Sequence, residues 1–163
     1  MIRNATVNLL QADVEALVNT VNCDGFMGKG IALQFKQAWS ENFDVYAKAC
    51  RAKEVCPGQM FIWETGRMVN PRYILNFPTK RHWKEKTLIE DIRSGLRALV
   101  ADVQRLGISS IAIPPLGCGN GGLDWRDVRP LIESAFAELS NTQVQLFSPS
   151  GVPGAKAMTI SRA

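Results

Sequence analysis

Two glycine-bearing loops constrain this chain more than any other feature, because each leaves an apolar, β-branched run and enters a stretch of helical periodicity. The first is Val21-Asn22-Cys23-Asp24-Gly25-Phe26-Met27-Gly28-Lys29-Gly30, and the second is Pro114-Pro115-Leu116-Gly117-Cys118-Gly119-Asn120-Gly121-Gly122. Open α/β sheets bind ligands at such strand-to-helix junctions, where amides at a helix start attract phosphate oxygens. Glycine weakens structure unless its φ freedom or missing side chain is used, so this concentration points to backbone that approaches a ligand. Neither loop is a P-loop: no Ser or Thr follows Lys29, and the order Gly25-x-x-Gly28-x-Gly30 is not the dinucleotide fingerprint.

The elements around the loops predict an α/β fold. Short apolar runs at 2–10, 15–20, 59–64, 73–77, 108–113 and 143–147 read as strands without clean alternation, as expected of a sheet covered on both faces. Ile31, Phe35, Trp39, Phe43, Tyr46 and Cys50 recur at three- and four-residue steps, predicting one bent helix or two after the first loop. Thr87 and Glu90 form a capping-box pattern before Leu88, Ile92, Leu96, Leu99 and Val103, and Gly107 predicts the stop of that helix. Asp124 with Asp127 offers a start for the helix carrying Val128, Leu131, Ile132 and Phe136. A chain of 163 residues suits one domain, expected over 1–149, with a tail or the start of a linker over 150–163.

Charge and cysteine usage narrow the function classes. From Arg67 to Lys86 six basic residues stand against Glu85 alone, a local +5 in a chain whose total is +4. The patch is interleaved with Tyr73, His82 and Trp83, which suits a polyanion whose bases stack; a solvated loop is the plainer reading. Cys23, Cys50, Cys56 and Cys118 contain no CxxC pair, so reduced thiols are expected and a four-cysteine zinc site is the weaker alternative. One histidine, His82, excludes multi-histidine metal centres. No apolar run is long enough for a membrane helix, and no signal-peptide pattern opens the chain, so a cytoplasmic protein without a membrane partner is expected.

Taken together, Glu15-Ala16-Leu17-Val18-Asn19-Thr20-Val21-Asn22, Met27-Gly28-Lys29-Gly30-Ile31-Ala32 and Ile113-Pro114-Pro115-Leu116-Gly117-Cys118-Gly119 resemble the macrodomain family of ADP-ribose binders in order and separation, over residues 1–149. Met27 to Ala32, the Phe35-Lys36 segment and Pro78-Thr79-Lys80 are similar to the branch of terminal ADP-ribose glycohydrolases and DarG antitoxins. Those antitoxins remove ADP-ribose that DarT toxins attach to thymidine in single-stranded DNA. The resemblance implies a three-layer α/β/α domain with a central mixed sheet.

It also implies roles residue by residue. Asn22 occupies the slot that contacts the distal ribose; from its chemistry alone it could instead cap its loop as an Asx-turn. The backbones of Met27, Gly28, Lys29, Gly30 and Ile31, and of Pro115, Leu116, Gly117, Cys118, Gly119, Asn120, Gly121 and Gly122, would hold the diphosphate. Asn8, beside Leu9, falls where many family members recognise adenine with an aspartate, and Phe147, Ser148 and Pro149 match the region that packs on adenine. Lys80, after Thr79, matches the lysine that acts at the anomeric carbon of the distal ribose. A neutral amine there is a nucleophile and a protonated one steadies departing charge, and a cationic neighbour such as Arg81 would favour the neutral form.

Arg81, His82 and Trp83 are candidates for the DNA strand. Lys29 is placed to steer an anionic ligand or simply to face solvent, and Cys118 is either a lowered-pKa nucleophile or a small residue in a phosphate loop. Relatives acting on protein carboxylates carry an aspartate just after Gly-Cys-Gly, where this chain has Asn120-Gly121-Gly122. The expected function is therefore an ADP-ribosyl glycohydrolase on thymidine of single-stranded DNA, partnered by a DarT-like toxin and needing no cofactor or metal. A non-catalytic ADP-ribose reader and a hydrolase of ADP-ribosylated protein carboxylates are the alternatives.

Overall fold

The computed structural model describes residues 1–5 and 8–149; the tail expected over 150–163 lies outside them. Among the described residues, β1 (Ile2–Asn4), β2 (Ala16–Asn22), β3 (Phe61–Glu64), β4 (Tyr73–Lys80), β5 (Ser110–Ile113) and β6 (Gln143–Leu146) form one sheet in the order β1-β6-β5-β2-β4-β3. Every pairing is parallel except β3 on β4, so the sheet is mixed, as the resemblance implied. Four helices cover it: α1 (Gly30–Ala38), α2 (Ser40–Arg51), α3 (Ile89–Leu106) and α4 (Trp125–Phe136). The first predicted strand is shorter than 2–10. It ends at Asn4, and Leu9–Gln11 form a 3-10 turn because the Asn8 side chain accepts from the Leu10 amide at 3.0 Å.

Alternation along the buried strands divides the core into two faces. Ala16 and Val18 of β2, Leu75 and Phe77 of β4, and Ile111 and Ile113 of β5 pack with Ile92, Leu96, Leu99 and Val103 of α3 and Val128 and Ile132 of α4. The intervening residues Leu17, Ile74 and Ala112 face the other way and pack with Phe35 of α1, Leu9 and Phe147. Tyr46, Ala49 and Cys50 of α2 extend that second layer over Val21 and Met27. The result is helices α3 and α4 on one face and α1 and α2 on the other.

The helical stripe from Ile31 to Cys50 is two helices rather than one. Trp39 leaves helical dihedrals (φ −134°, ψ 68°) between α1 and α2, and its indole packs edge-on against Trp63 at 6.1 Å. A fully buried amide cluster ties α2 to the sheet. Asn42 exchanges hydrogen bonds with Asn76 of β4, Asn19 of β2 donates to Asn76 Oδ1 at 3.1 Å, and Asn76 donates to the Phe61 carbonyl at 3.0 Å.

The capping box predicted at Thr87 and Glu90 does not form. Leu88 is the cap residue of α3 and offers no side-chain bond; Glu90 pairs instead with Arg93. Thr87 is buried against the second loop: its amide donates to the Gly121 carbonyl at 2.9 Å, and its hydroxyl packs on Gly121 with no hydrogen-bond partner among the described residues. The other helix signals hold: Asp124 caps α4 through the Arg126 amide, and Gly107 ends α3 in the left-handed region at φ 65°.

Helix α3 approaches the sheet closely at Gly95. A Cβ there would stand 2.3 Å from Cζ of Phe77, a separation that packed atoms do not tolerate. Gly95→Ala is expected to lower stability by about 1–3 kcal/mol, read as a lower urea midpoint at unchanged slope.

Candidate functional site

The parallel strands β2 and β4 end together, with Asn22 registered opposite Lys80 after a shift between Val21 and Asn22. The first glycine loop leaves β2 at this edge, and the second leaves β5, which pairs β2 on its other side. Between them lies a cleft of about 1180 Å³, more than most small-molecule pockets occupy. The two loops face each other across it, for a Cβ at Gly30 would come 3.7 Å from Nδ2 of Asn120.

The first loop is shaped by one side chain. Asn22 Oδ1 accepts from the amides of Asp24, Gly25 and Phe26 at 3.0, 3.2 and 3.3 Å, and its Nδ2 donates to the Phe26 carbonyl at 2.9 Å. The Tyr46 hydroxyl lies 2.6 Å from the Asn22 carbonyl and 2.9 Å from Oδ1, so its single hydrogen is shared between them. Burial raises the Tyr46 pKa and keeps it a donor. Asn22 therefore fills the Asx-cap role, and its donor inventory leaves one amide hydrogen for a ligand in the cleft it lines. Met27 is buried beneath the loop, while Gly28, Lys29, Gly30 and Ile31 line the cleft. The Lys29 side chain makes no cap bond at the start of α1, which leaves the first amides of the helix to whatever occupies the cleft.

The second loop is held by its own backbone. Cys118 donates to the Pro115 carbonyl, Gly122 to Gly119 and Leu123 to Gly117, around a 3-10 turn at Gly119–Gly121. Gly117 and Gly119, at φ 73° and 74°, need a conformation that other residues avoid. Pro115, Gly117, Cys118, Gly119, Asn120 and Gly121 line the cleft, whereas Leu116 anchors the loop in the core and the exposed Gly122 lies beside the Lys86 stem. Cys118 is not an activated nucleophile: burial, with Asp124 and Asp127 nearby, pushes its thiol up to about 11. The cysteines are free thiols, and among the described residues no group of three His, Cys, Asp or Glu is arranged to hold a metal.

At the far end of the cleft stand Asn8, Leu9, Phe147 and Ser148. Among the described residues the Ser148 hydroxyl is buried without a partner, as a group reserved for a ligand would be. Phe147 is largely core, and Pro149 is not among the lining residues.

Lys80, with buried Thr79 beside it, sits at the opposite end. Its Nζ donates to the Trp83 carbonyl at 3.3 Å. Burial lowers the Lys80 pKa, and the Lys29 charge lowers it further. Arg81, the neighbour expected to favour the neutral amine, is not the cause. Its guanidinium makes two bonds to the buried carboxylate of Asp91, at 3.1 and 3.2 Å, and is outside the cleft.

The basic segment is latched to the first loop by Asp24, which takes Nδ1 of His82 through Oδ1 and the Trp83 amide through Oδ2, both at 3.0 Å. His82 thus serves the latch and does not line the cleft, whereas Trp83 does. Phe26, Gln34, Lys84 and Thr20 also line it and were not anticipated. Phe26 carried a signal, an aromatic between Gly25 and Met27, and Tyr46 was hidden in a helical stripe although a buried tyrosine needs a partner for its hydroxyl.

A family model described as the macro domain matches residues 18–132. The chain belongs to the macrodomain family. This macrodomain is 50% identical over 151 residues to a Mycobacterium tuberculosis protein named DNA ADP-ribosyl glycohydrolase, covering 93% of this chain and 43% of that protein. A Thermus aquaticus protein of the same name is 48% identical over 155 residues, covering 95% of this chain and again 43% of the relative. This macrodomain thus spans less than half the length of these curated relatives. Among solved structures, the macrodomain of Mycobacterium tuberculosis DarG matches with a TM-score of 0.91 at 50% identity, over 92% of this chain and 99% of that one. Thermosipho africanus DarTG in complex with ADP-ribose matches with a TM-score of 0.81 at 34% identity, over 89% of this chain and 40% of that one.

Removing the Asn22 side chain strips three amides of their acceptor. In Asn22→Ala, hydrogen exchange at Asp24, Gly25 and Phe26 is expected to accelerate by about tenfold or more, while amides of α3 keep their protection.

Proposed function

We propose that this macrodomain hydrolyses the N-glycosidic bond between ADP-ribose and thymidine in single-stranded DNA. The observation that carries the reading is the position of Lys80: a partly buried amine of lowered pKa at one end of a cleft lined by two glycine loops. The DNA ADP-ribosyl glycohydrolases at 48–50% identity supply the substrate class.

In this reading the amides at the start of α1 and around Gly119–Gly121 hold the diphosphate, and Asn22 offers its remaining amide hydrogen to the distal ribose. Ser148 and Asn8 meet the adenine end. The neutral amine of Lys80 attacks the anomeric carbon of the distal ribose, the bond to the base nitrogen breaks, and that nitrogen takes a proton from solvent. Water then hydrolyses the sugar–lysine bond. ADP-ribose is part of the substrate, so the step calls on no cofactor or metal.

The partner in this reading is a DNA ADP-ribosyltransferase toxin of the DarT type, with this chain reversing its product as antitoxin. A Thermosipho africanus relative, 36% identical over 151 residues and covering 83% of this chain, is named a DNA ADP-ribosyl transferase-DNA ADP-ribosyl glycohydrolase fusion protein. A DNA substrate places the action in the cytoplasm; among the described residues no helix is long and apolar enough to cross a membrane.

Release of ADP-ribose from a single strand bearing ADP-ribosylated thymidine tests the reading. Intact protein is expected to release it, and Lys80→Ala to lose about a hundredfold or more of the rate while still binding free ADP-ribose. Binding without release by the intact chain would make it a reader.

The pH profile tests the amine. Because burial and Lys29 both lower the Lys80 pKa, the rate is expected to rise with pH and level off below the ordinary lysine range. Lys29→Gln removes a like charge, stabilises protonated Lys80 and moves the midpoint to higher pH.

A further inference from the structure

At the Lys80 end of the cleft two aromatic rings stand out in water. Phe26 is 56% exposed and Trp83 is 45% exposed, and their centroids lie 6.2 Å apart with the planes at 71°. They come from different segments, the first glycine loop and the stretch after β4, and both line the cleft. Aromatic residues that pack a core are buried; this pair keeps much of its surface in solvent at the mouth of a ligand site.

The backbones behind the rings are nonetheless fixed at both polar ends. The Phe26 amide donates to Asn22 Oδ1 and its carbonyl accepts from Asn22 Nδ2. The Trp83 amide donates to Asp24 Oδ2 and its carbonyl accepts from Lys80 Nζ. Asp24 belongs to the same loop as Phe26, so the latch that holds Trp83 also sets the distance between the rings. Side chains pre-positioned in this way lose little freedom when a flat ligand stacks on them.

The surroundings specify the ligand's charge. Lys84 Nζ lies 5.1 Å from the centre of the Trp83 ring, and the exposed Lys86 runs along the second loop. Exposed rings interleaved with cations are the arrangement that grips single-stranded nucleic acid, with bases on the rings and phosphates on the cations.

We propose that Phe26 and Trp83 form a stacking platform for the unpaired base next to the modified nucleotide, one ring stacked on the face of the base and the other packed beside it, with Lys84 taking the intervening phosphate. This rests on the glycohydrolase reading for its substrate and adds to it a contact outside the ADP-ribose. The platform reads a π-face rather than a base edge, so it tolerates different flanking bases. It requires the flanking base to be unstacked, and therefore selects single strands over duplex.

The test uses unmodified oligothymidylate, labelled with a fluorophore, as the strand probe, with free ADP-ribose binding measured in parallel. Phe26→Ala and Trp83→Ala are each expected to weaken strand binding by about tenfold or more, beyond any change in ADP-ribose affinity, and Trp83→Phe to restore most of it. A blunt duplex is expected to compete poorly. Strand affinity unchanged in both alanine variants, losses that only track ADP-ribose affinity, or duplex bound as tightly as single strand would each overturn the platform. Release of ADP-ribose from modified strand is scored separately. Strand binding that depends on the rings without any release sinks the hydrolase reading and leaves the platform; release with ring-independent strand binding does the reverse.

Discussion

Because β2 and β4 run side by side and parallel, from Ala16 opposite Tyr73 to Asn22 opposite Lys80, whatever follows either strand emerges at one edge of the sheet. The ladder is buried on both faces, and a slip of one residue would exchange Leu17 and Val18, or Ile74 and Leu75, between two differently shaped cores. Its register is therefore strongly specified, and with it the position of Lys80 against the first loop. The first glycine loop, the latch at Asp24 and the exposed rings inherit their places from this pairing, and the second loop follows from β5 on the other side of β2.

The amide cluster at Asn19, Asn42 and Asn76 reinforces that register. Three carboxamides without solvent exposure are costly unless paired, and Asn76 is satisfied on both its oxygen and its nitrogen. The bonds can form only when α2 sits at one height over β2 and β4. Among the described residues Asn19 Oδ1 remains without a partner, and Asn19 Nδ2 lies 3.8 Å from the sulfur of Met27, the residue that plugs the underside of the first loop. The cluster thus connects the position of α2 to the loop that α1 follows.

Much of this was legible in the residues because local chemistry and tertiary role agree. Glycine at strand ends marks backbone that bends near a ligand, Gly107 ends α3 in the left-handed region, and Asp124 caps α4. What escaped were side chains whose partners lie elsewhere in the chain. Thr87 reads as a helix cap, but α3 starts after Leu88 and the Thr87 hydroxyl is buried against the second loop, and Arg81 gives no local sign of its pairing with Asp91 ten residues on. The break at Trp39 escaped for another reason: residues on both sides of it keep the same apolar face, so spacing alone cannot distinguish one bent helix from two. The position of Phe26 between Gly25 and Met27 marks an aromatic in a glycine loop, but its exposure follows only from where Asn22 holds that loop.

The second loop brings three glycines, Gly117, Gly119 and Gly121, to the cleft, and what stands behind two of them is crowded. A Cβ at Gly121 would come 2.4 Å from the Thr87 hydroxyl and one at Gly117 2.8 Å from Leu123, so neither position accepts even alanine without displacing its neighbour. Backbone held this tightly cannot be altered by exchanging one side chain for another. The freedom to acquire a new preference lies instead at the two ends of the cleft, in Asn8 and Ser148 on one side and Phe26, Trp83 and Lys84 on the other. Divergence within such a scaffold is expected to leave its middle constant while its extremities change.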